Sequence, residues 1–87
     1  MIRFKPEVHY TTRDSQNDYY NGKRKRMCKI VPFKSYREVK KDMKNILAVS
    51  IDEYVSVYRS KRGEWGEWYE HWKLVDGKPT IIKEGWN

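Results

Sequence analysis

The spacing of apolar residues changes twice along this chain, and that change most constrains its fold. Before about residue 33 and after residue 53, apolar and polar residues largely alternate, a pattern typical of strands with one buried face. Between these segments the apolar residues recur at helical spacing and form one stripe: Tyr36, Val39, Met43, Ile46 and Leu47. The sequence therefore predicts one amphipathic helix with strands on both sides of it.

The start of this helix carries the clearest local signature. Ser35-Tyr36-Arg37-Glu38 fits a capping box, in which the Ser35 hydroxyl accepts a hydrogen bond from the Glu38 amide and the Glu38 carboxylate reaches back. Pro32 has no backbone N–H and ends the preceding strand. The helix is therefore predicted to begin directly after Ser35.

Five strands are predicted around the helix. Their ranges are 2–11, 23–33, 53–60, 67–75 and 78–86. Pro6 removes one donor from a ladder, which predicts an edge strand or a bulge at that point, and Pro79 predicts an edge position for the last strand. We expect one α+β domain over residues 1–87, in the order β-β-α-β-β-β, with an antiparallel sheet of about five strands and the helix packed on one face.

Residues 12–22 break the alternation. This segment is rich in Asn, Asp and Ser and ends in Asn21-Gly22, a frequent turn dipeptide. It is predicted to be a mobile polar loop that returns the chain to the second strand.

The cellular setting is suggested by what the composition lacks. Cys28 is the single cysteine, so one chain forms no internal disulfide and completes no Cys-based metal site. No run approaches the roughly 18 apolar residues of a membrane span, and the first ten residues alternate charged and apolar types. A cytoplasmic protein without a membrane partner is expected, in its own cell or in an infected host cell.

Basic residues are concentrated in the first half of the chain. The net charge is +7; residues 1–33 hold eight basic and three acidic residues, and residues 34–49 hold five and two. Residues 50–87 hold six basic and seven acidic residues. A one-sided basic field attracts polyanions, and Lys and Arg bind phosphates without reading base sequence.

The candidate phosphate-binding residues lie on the predicted second strand and on the exposed side of the helix. They are Lys23, Arg24, Lys25, Arg26, Lys29, Arg37, Lys41 and Lys44. The alternative is a solvated charged surface that protects a sheet edge from aggregation.

Three aromatic residues are candidates for base or protein contact. Tyr19 and Tyr20 stand in a polar segment that offers no obvious burial. Trp65 stands among acidic residues, where its ring could anchor a protein interface or, equally, fold back onto the sheet at a hairpin tip. Trp68 and Trp72 are instead expected in the core or in cross-strand pairs, because aliphatic residues are scarce.

The sequence shows no catalytic or metal-binding pattern. His9 and His71 are the only histidines and their spacing matches no metal motif, while no glycine-rich phosphate loop is present. We therefore expect no enzymatic activity, no metal and no cofactor.

Two functions fit these features. The first is a small protein that binds DNA or RNA through its basic strand and helix. The alternative is an inhibitor or adaptor of the kind carried by phages and mobile elements, for example anti-CRISPR-like, that binds a nucleic-acid-handling or defence enzyme of the host. Exposed sheet edges would also permit a strand-paired homodimer.

Overall fold

Two helices and five strands make up the protein in a computed structural model that describes residues 5–61 and 65–87. In chain order they are β1 (Glu7–Tyr10), α1 (Arg13–Tyr20), β2 (Lys29–Pro32), α2 (Tyr36–Val49), β3 (Val55–Arg59), β4 (Trp68–Val75) and β5 (Lys78–Trp86). The strands form one antiparallel sheet in the order β2-β1-β3-β4-β5. The predicted α+β class, with a five-stranded antiparallel sheet and an amphipathic helix on one face, is confirmed.

Helix α2 covers one face of the sheet and supplies three of the eight buried core residues in the described part of the chain. The Ser35 hydroxyl accepts the Glu38 amide hydrogen bond at 3.3 Å, as the sequence predicts. Val39, Met43 and Ile46 are buried on the helix side of the sheet. Each such side chain contributes about 1.5–3 kcal/mol through removal of its apolar surface from water.

Strand alternation divides the sheet into two faces. Val8, Val55, Val57 and Trp72 are buried beneath α2. Residues between them along the strands point to the opposite side, because successive side chains of a strand alternate. This opposite side is called the open face below.

The segment predicted as a loop over residues 12–22 contains helix α1, so that prediction is wrong for residues 13–20. The Thr12 side chain accepts a hydrogen bond from the Ser15 amide at 3.1 Å, and the Ser15 hydroxyl accepts one from the Thr12 amide at 2.9 Å. This is a capping box in which Ser takes the place of the usual Glu or Gln. Because Ser15 stands where Glu or Gln is usual, the sequence does not show the common capping-box pattern at this helix start.

Asn21-Gly22 ends this helix instead of making a turn between strands. Gly22 has a φ of +75°, and its amide donates to the Tyr19 carbonyl at 3.1 Å. The Lys23 amide donates to the Asp18 carbonyl at 2.7 Å. These two bonds are the Schellman pattern, which places a glycine in the left-handed region directly after a helix.

The first strand is shorter than predicted and lies inside the sheet. β1 pairs with β2 on one side and β3 on the other, so its predicted edge position is wrong. Pro6 precedes the ladder, where its missing donor costs nothing, and its carbonyl accepts from the Phe33 amide at 2.8 Å. Residues 2–4 of the predicted strand lie outside the described residues.

The edges of the sheet are β2 and β5. β5 carries Pro79 and occupies the predicted edge position. The second strand was predicted over 23–33 but covers only Lys29–Pro32. The preceding basic residues lie outside the strand, because alternation would direct half of those charges toward the helix-covered side.

Candidate nucleic-acid interface

Four consecutive basic residues form an exposed loop between α1 and β2. Lys23, Arg24, Lys25 and Arg26, called the basic loop below, all have exposed side chains. The Arg24 Nε donates to the Arg26 carbonyl at 3.3 Å. The sequence predicts a strand over these residues, whereas the structure places them in a loop.

Two tyrosines stand at the end of α1, directly before the basic loop. Tyr20 is 70% exposed and Tyr19 is 41% exposed. Their ring centroids lie 5.5 Å apart in an edge-to-face arrangement. Because the helix end passes straight into the basic loop, exposed rings and exposed cations lie within a few residues of each other.

The remaining candidate basic residues lie on two other elements. Lys29 belongs to β2, and its Nζ lies 5.3 Å from the centroid of the Tyr10 ring. Arg37, Lys41 and Lys44 are exposed on α2 at positions that share one side of the helix, away from the buried stripe. The predicted basic residues are therefore divided among three elements: the basic loop, β2 and α2.

Trp65 is 74% exposed in the segment before β4. Residues 62–64, which precede this segment, lie outside the described residues. Trp72 is buried in the core, and Trp68 lies 4.9 Å from Trp86 in an edge-to-face pair. The structure therefore separates Trp65 from the tryptophans that serve the scaffold.

Aromatic residues on the open face form a group that the sequence did not single out. The His9 and Tyr58 ring centroids lie 4.6 Å apart, and Tyr54 stacks on His71 at 4.1 Å with an interplanar angle of 25°. Tyr69 lies 5.2 Å from His71. Alternation of Tyr54, Ser56 and Tyr58 was visible in the sequence, but strand pairing was needed to bring the rings together.

The last strand completes this face with a lysine and a glycine. Lys83 lies opposite His71 in the register, and Gly85 lies opposite Tyr69. A Cβ on Gly85 would stand 3.3 Å from Tyr69 Cε1, so the tyrosine ring lies over the bare glycine backbone. Burial lowers the pKa of His71, and the charge of Lys83 lowers it further.

On the helix side, a buried carboxylate is held by three donors. Glu70 is 1% exposed; the Arg59 Nη2 lies 3.2 Å from its Oε2, the Tyr36 hydroxyl donates at 2.7 Å and the Trp72 Nε1 donates at 3.0 Å. Burial and the hydrogen bond to Glu70 raise the pKa of Tyr36 well above its usual range. The group joins α2 to β3 and β4, and its hydrogen bonds are directed inward.

The described residues contain no group of three His, Cys, Asp or Glu side chains arranged to hold a metal ion. Cys28 is half-buried, and burial raises the pKa of its thiol, with a further increase from the charge of Asp52. Within residues 5–61 and 65–87, neither helix is long and apolar enough to cross a membrane.

Comparisons with known proteins give no relative: no family model, no curated protein and no solved structure matches this chain. The class of the fold therefore rests on the geometry described above.

Proposed function

We propose that this chain is a small non-catalytic protein that binds nucleic acid through phosphate contacts of its basic loop. The observation that carries the proposal is the exposure of four consecutive cationic side chains beside the exposed rings of Tyr19 and Tyr20. Cations that neutralise backbone phosphates release counterions, which stabilises the complex without base-specific contacts. The neighbouring rings add a surface on which bases stack.

The outer side of α2 is the second part of the proposed interface. Arg37, Lys41 and Lys44 present three cations on one side of a rigid helix. Lys29 contributes less direct contact, because its ammonium already lies over the Tyr10 ring of the same chain. The helix group extends the positive field that steers a polyanion toward the loop.

The test is the salt dependence of oligonucleotide binding. Dissociation constants are measured for short DNA and RNA oligonucleotides, single-stranded and duplex, between about 50 and 200 mM salt. Replacement of Lys23, Arg24 and Arg26 by Ala is expected to weaken binding and to reduce the salt slope by about 2–3, since each phosphate contact contributes about 0.7–0.9.

A matched variant removes the same charge from the helix. Arg37, Lys41 and Lys44 replaced by Ala should weaken binding less than the loop variant does. Equal losses would show that net charge matters and the loop does not. Undetectable binding of every oligonucleotide at low salt would overturn the proposed function.

The exposure of Trp65 favours a second candidate, an inhibitor or adaptor that binds a host nucleic-acid-handling or defence protein. Such a protein is expected in the cytoplasm, in the manner of phage-encoded anti-CRISPR-like proteins. Loss of partner capture in Trp65→Ala, with capture unchanged in the loop variant, would select this candidate.

The two sheet edges support a further element of the proposal, a strand-paired homodimer through β2 or β5. Its measurement is the mass in solution by sedimentation equilibrium. A value of 10.7 kDa at all concentrations would exclude the dimer.

A further inference from the structure

The open face begins where the basic loop ends. Arg24, Arg26, Cys28 and Ile30 line one shallow concavity on the surface. Cys28 also lines the next concavity, together with His9, Tyr54 and Ser56. A continuous path therefore leads from the basic loop across Cys28 onto the aromatic rings.

The rings extend this path across three central strands. His9 of β1 lies beside Tyr58 of β3, and Tyr58 is directly paired with Tyr69 of β4. His71 continues the group, with Tyr54 stacked on it. All five side chains retain solvent exposure, so ring surface is available to a flat ligand.

On the open face, cations flank the rings at both edges of the sheet. The basic loop precedes edge strand β2, and the other edge carries Lys83 opposite His71 and Lys78 opposite Val75, on the same open face. Among the described residues, the acidic neighbours include Glu7, whose Oε2 lies 3.1 Å from His9 Nε2, and Asp52 and Glu53 beside Tyr54.

Asp52 and Glu53 line the concavity between the basic loop and Tyr54. Glu7 already pairs with His9, and the Asp52 carboxylate accepts the Thr11 amide at 2.6 Å. The path is therefore aromatic over the central strands and cationic at its two ends, with Asp52 and Glu53 between the basic loop and the rings. A ligand that fits has flat apolar groups joined by an anionic backbone.

We propose that the open face is a stacking platform for unpaired bases of single-stranded nucleic acid. The phosphates of the strand run from the basic loop toward Lys83, and bases stack on Tyr54, Tyr58 and Tyr69. A duplex cannot use this surface, because its bases are already stacked and paired inside the helix. The inference rests on the proposed nucleic-acid binding and adds strand selectivity to it.

The first test removes two rings and keeps apolar side chains in their place. Tyr54→Leu with Tyr58→Leu is expected to weaken binding of a 12-nucleotide single strand by at least about fivefold for each ring. The salt slope should stay that of the unmodified protein, since no phosphate contact is removed. Duplex binding of the same length should be unchanged.

Trp86→Leu is the matched control, because this ring belongs to the helix side of β5. Circular dichroism spectra of the control and the double variant show whether both remain folded. The control should bind single strands as the unmodified protein does. A control loss equal to that of the double variant would overturn the assignment to the open face.

A second measurement uses the unaltered protein, so it does not depend on variant folding. An oligonucleotide containing 5-iodouracil is irradiated in the complex, and the crosslinked peptides are identified by mass spectrometry. Crosslinks at Tyr54, Tyr58, Tyr69 or His71 are expected. Crosslinks confined to residues 19–26 would overturn the platform.

The outcomes separate this inference from the function on which it rests. The platform is overturned if binding depends on the basic loop, is equally strong for single strands and duplexes, and is unaffected by loss of the rings. Phosphate binding would then remain in place. No binding of any oligonucleotide at low salt overturns both.

Discussion

Glu70 is a carboxylate placed inside the core, and its neighbours explain how the fold tolerates the charge. Its charge is balanced by the Arg59 guanidinium, which also lies 3.8 Å from the centroid of the Tyr36 ring. The Tyr36 hydroxyl and the Trp72 indole donate to the same carboxylate. A buried ion pair adds little net stability over apolar packing, but removal of one partner leaves the other charge uncompensated.

Replacement of Glu70 by Ala is therefore expected to lower the free energy of unfolding by about 3–5 kcal/mol. Urea denaturation followed by fluorescence measures the change. Glu84→Ala is the control, because Glu84 lies opposite Glu70 in β5 and is exposed, and should change stability by no more than about 0.5 kcal/mol. Similar losses in the two variants would contradict a special role for Glu70.

His71 makes the stability of the protein depend on pH. Its pKa is lowered in the folded protein from 6.5, first by burial and then by Lys83 on the facing strand; Tyr54 and Tyr69 are its other neighbours. The unfolded chain therefore binds this proton more readily than the folded protein does. Stability is full above the unfolded pKa and decreases as pH falls through 6.5 toward the folded pKa.

The melting temperature is therefore expected to decrease as the pH is lowered from about 7.5 to about 5. The His71→Gln variant should lose part of this dependence, because the titrating group is absent. Differential scanning calorimetry across this range provides the measurement. Identical pH profiles for the two proteins would contradict the assignment.

At the scale of elements, α1 depends on its ends more than on its burial. An isolated helix shorter than about 12–15 residues is marginal in water, and Ser15 is the one residue of α1 that is fully buried. The Thr12 capping box and the Gly22 end satisfy backbone groups that otherwise lack partners. This helix positions Tyr19 and Tyr20 beside the basic loop, so its caps affect the proposed interface.

Replacement of Thr12 by Ala is expected to destabilise α1 by about 1 kcal/mol. Hydrogen exchange of the amides of residues 16–20 should accelerate, while amides of β3 and β4 keep their protection. Asn17→Ala, at an exposed position inside the same helix, should not accelerate exchange, because Ala favours helix formation. Unchanged exchange in Thr12→Ala would show that other contacts hold the helix.

At the scale of the whole molecule, the core and the proposed contact surfaces are separate. The core joins α2 to the helix side of the sheet, whereas the basic loop, Tyr20 and Trp65 are exposed outside it. The chain can therefore present charges and rings without the desolvation cost of burying them.

Because of this separation, the variant with Lys23, Arg24 and Arg26 replaced by Ala should keep its stability within about 0.5 kcal/mol. Urea denaturation beside the binding measurement checks this expectation. A larger loss would mean that the loop belongs to the fold, and weak binding by that variant would then report unfolding.

Local patterns in the sequence determined α2, its Ser35 cap, its buried stripe and the alternation of the strands, because these depend on residues close together in the chain. They also indicated that Tyr19, Tyr20 and the residues of the basic loop are exposed. The tertiary structure alone decided that β1 lies between β2 and β3, that Glu70 pairs with Arg59, and that rings from three strands share the open face. Periodicity predicts which side of an element is buried. The neighbours of that element depend on packing between segments that are far apart in the sequence.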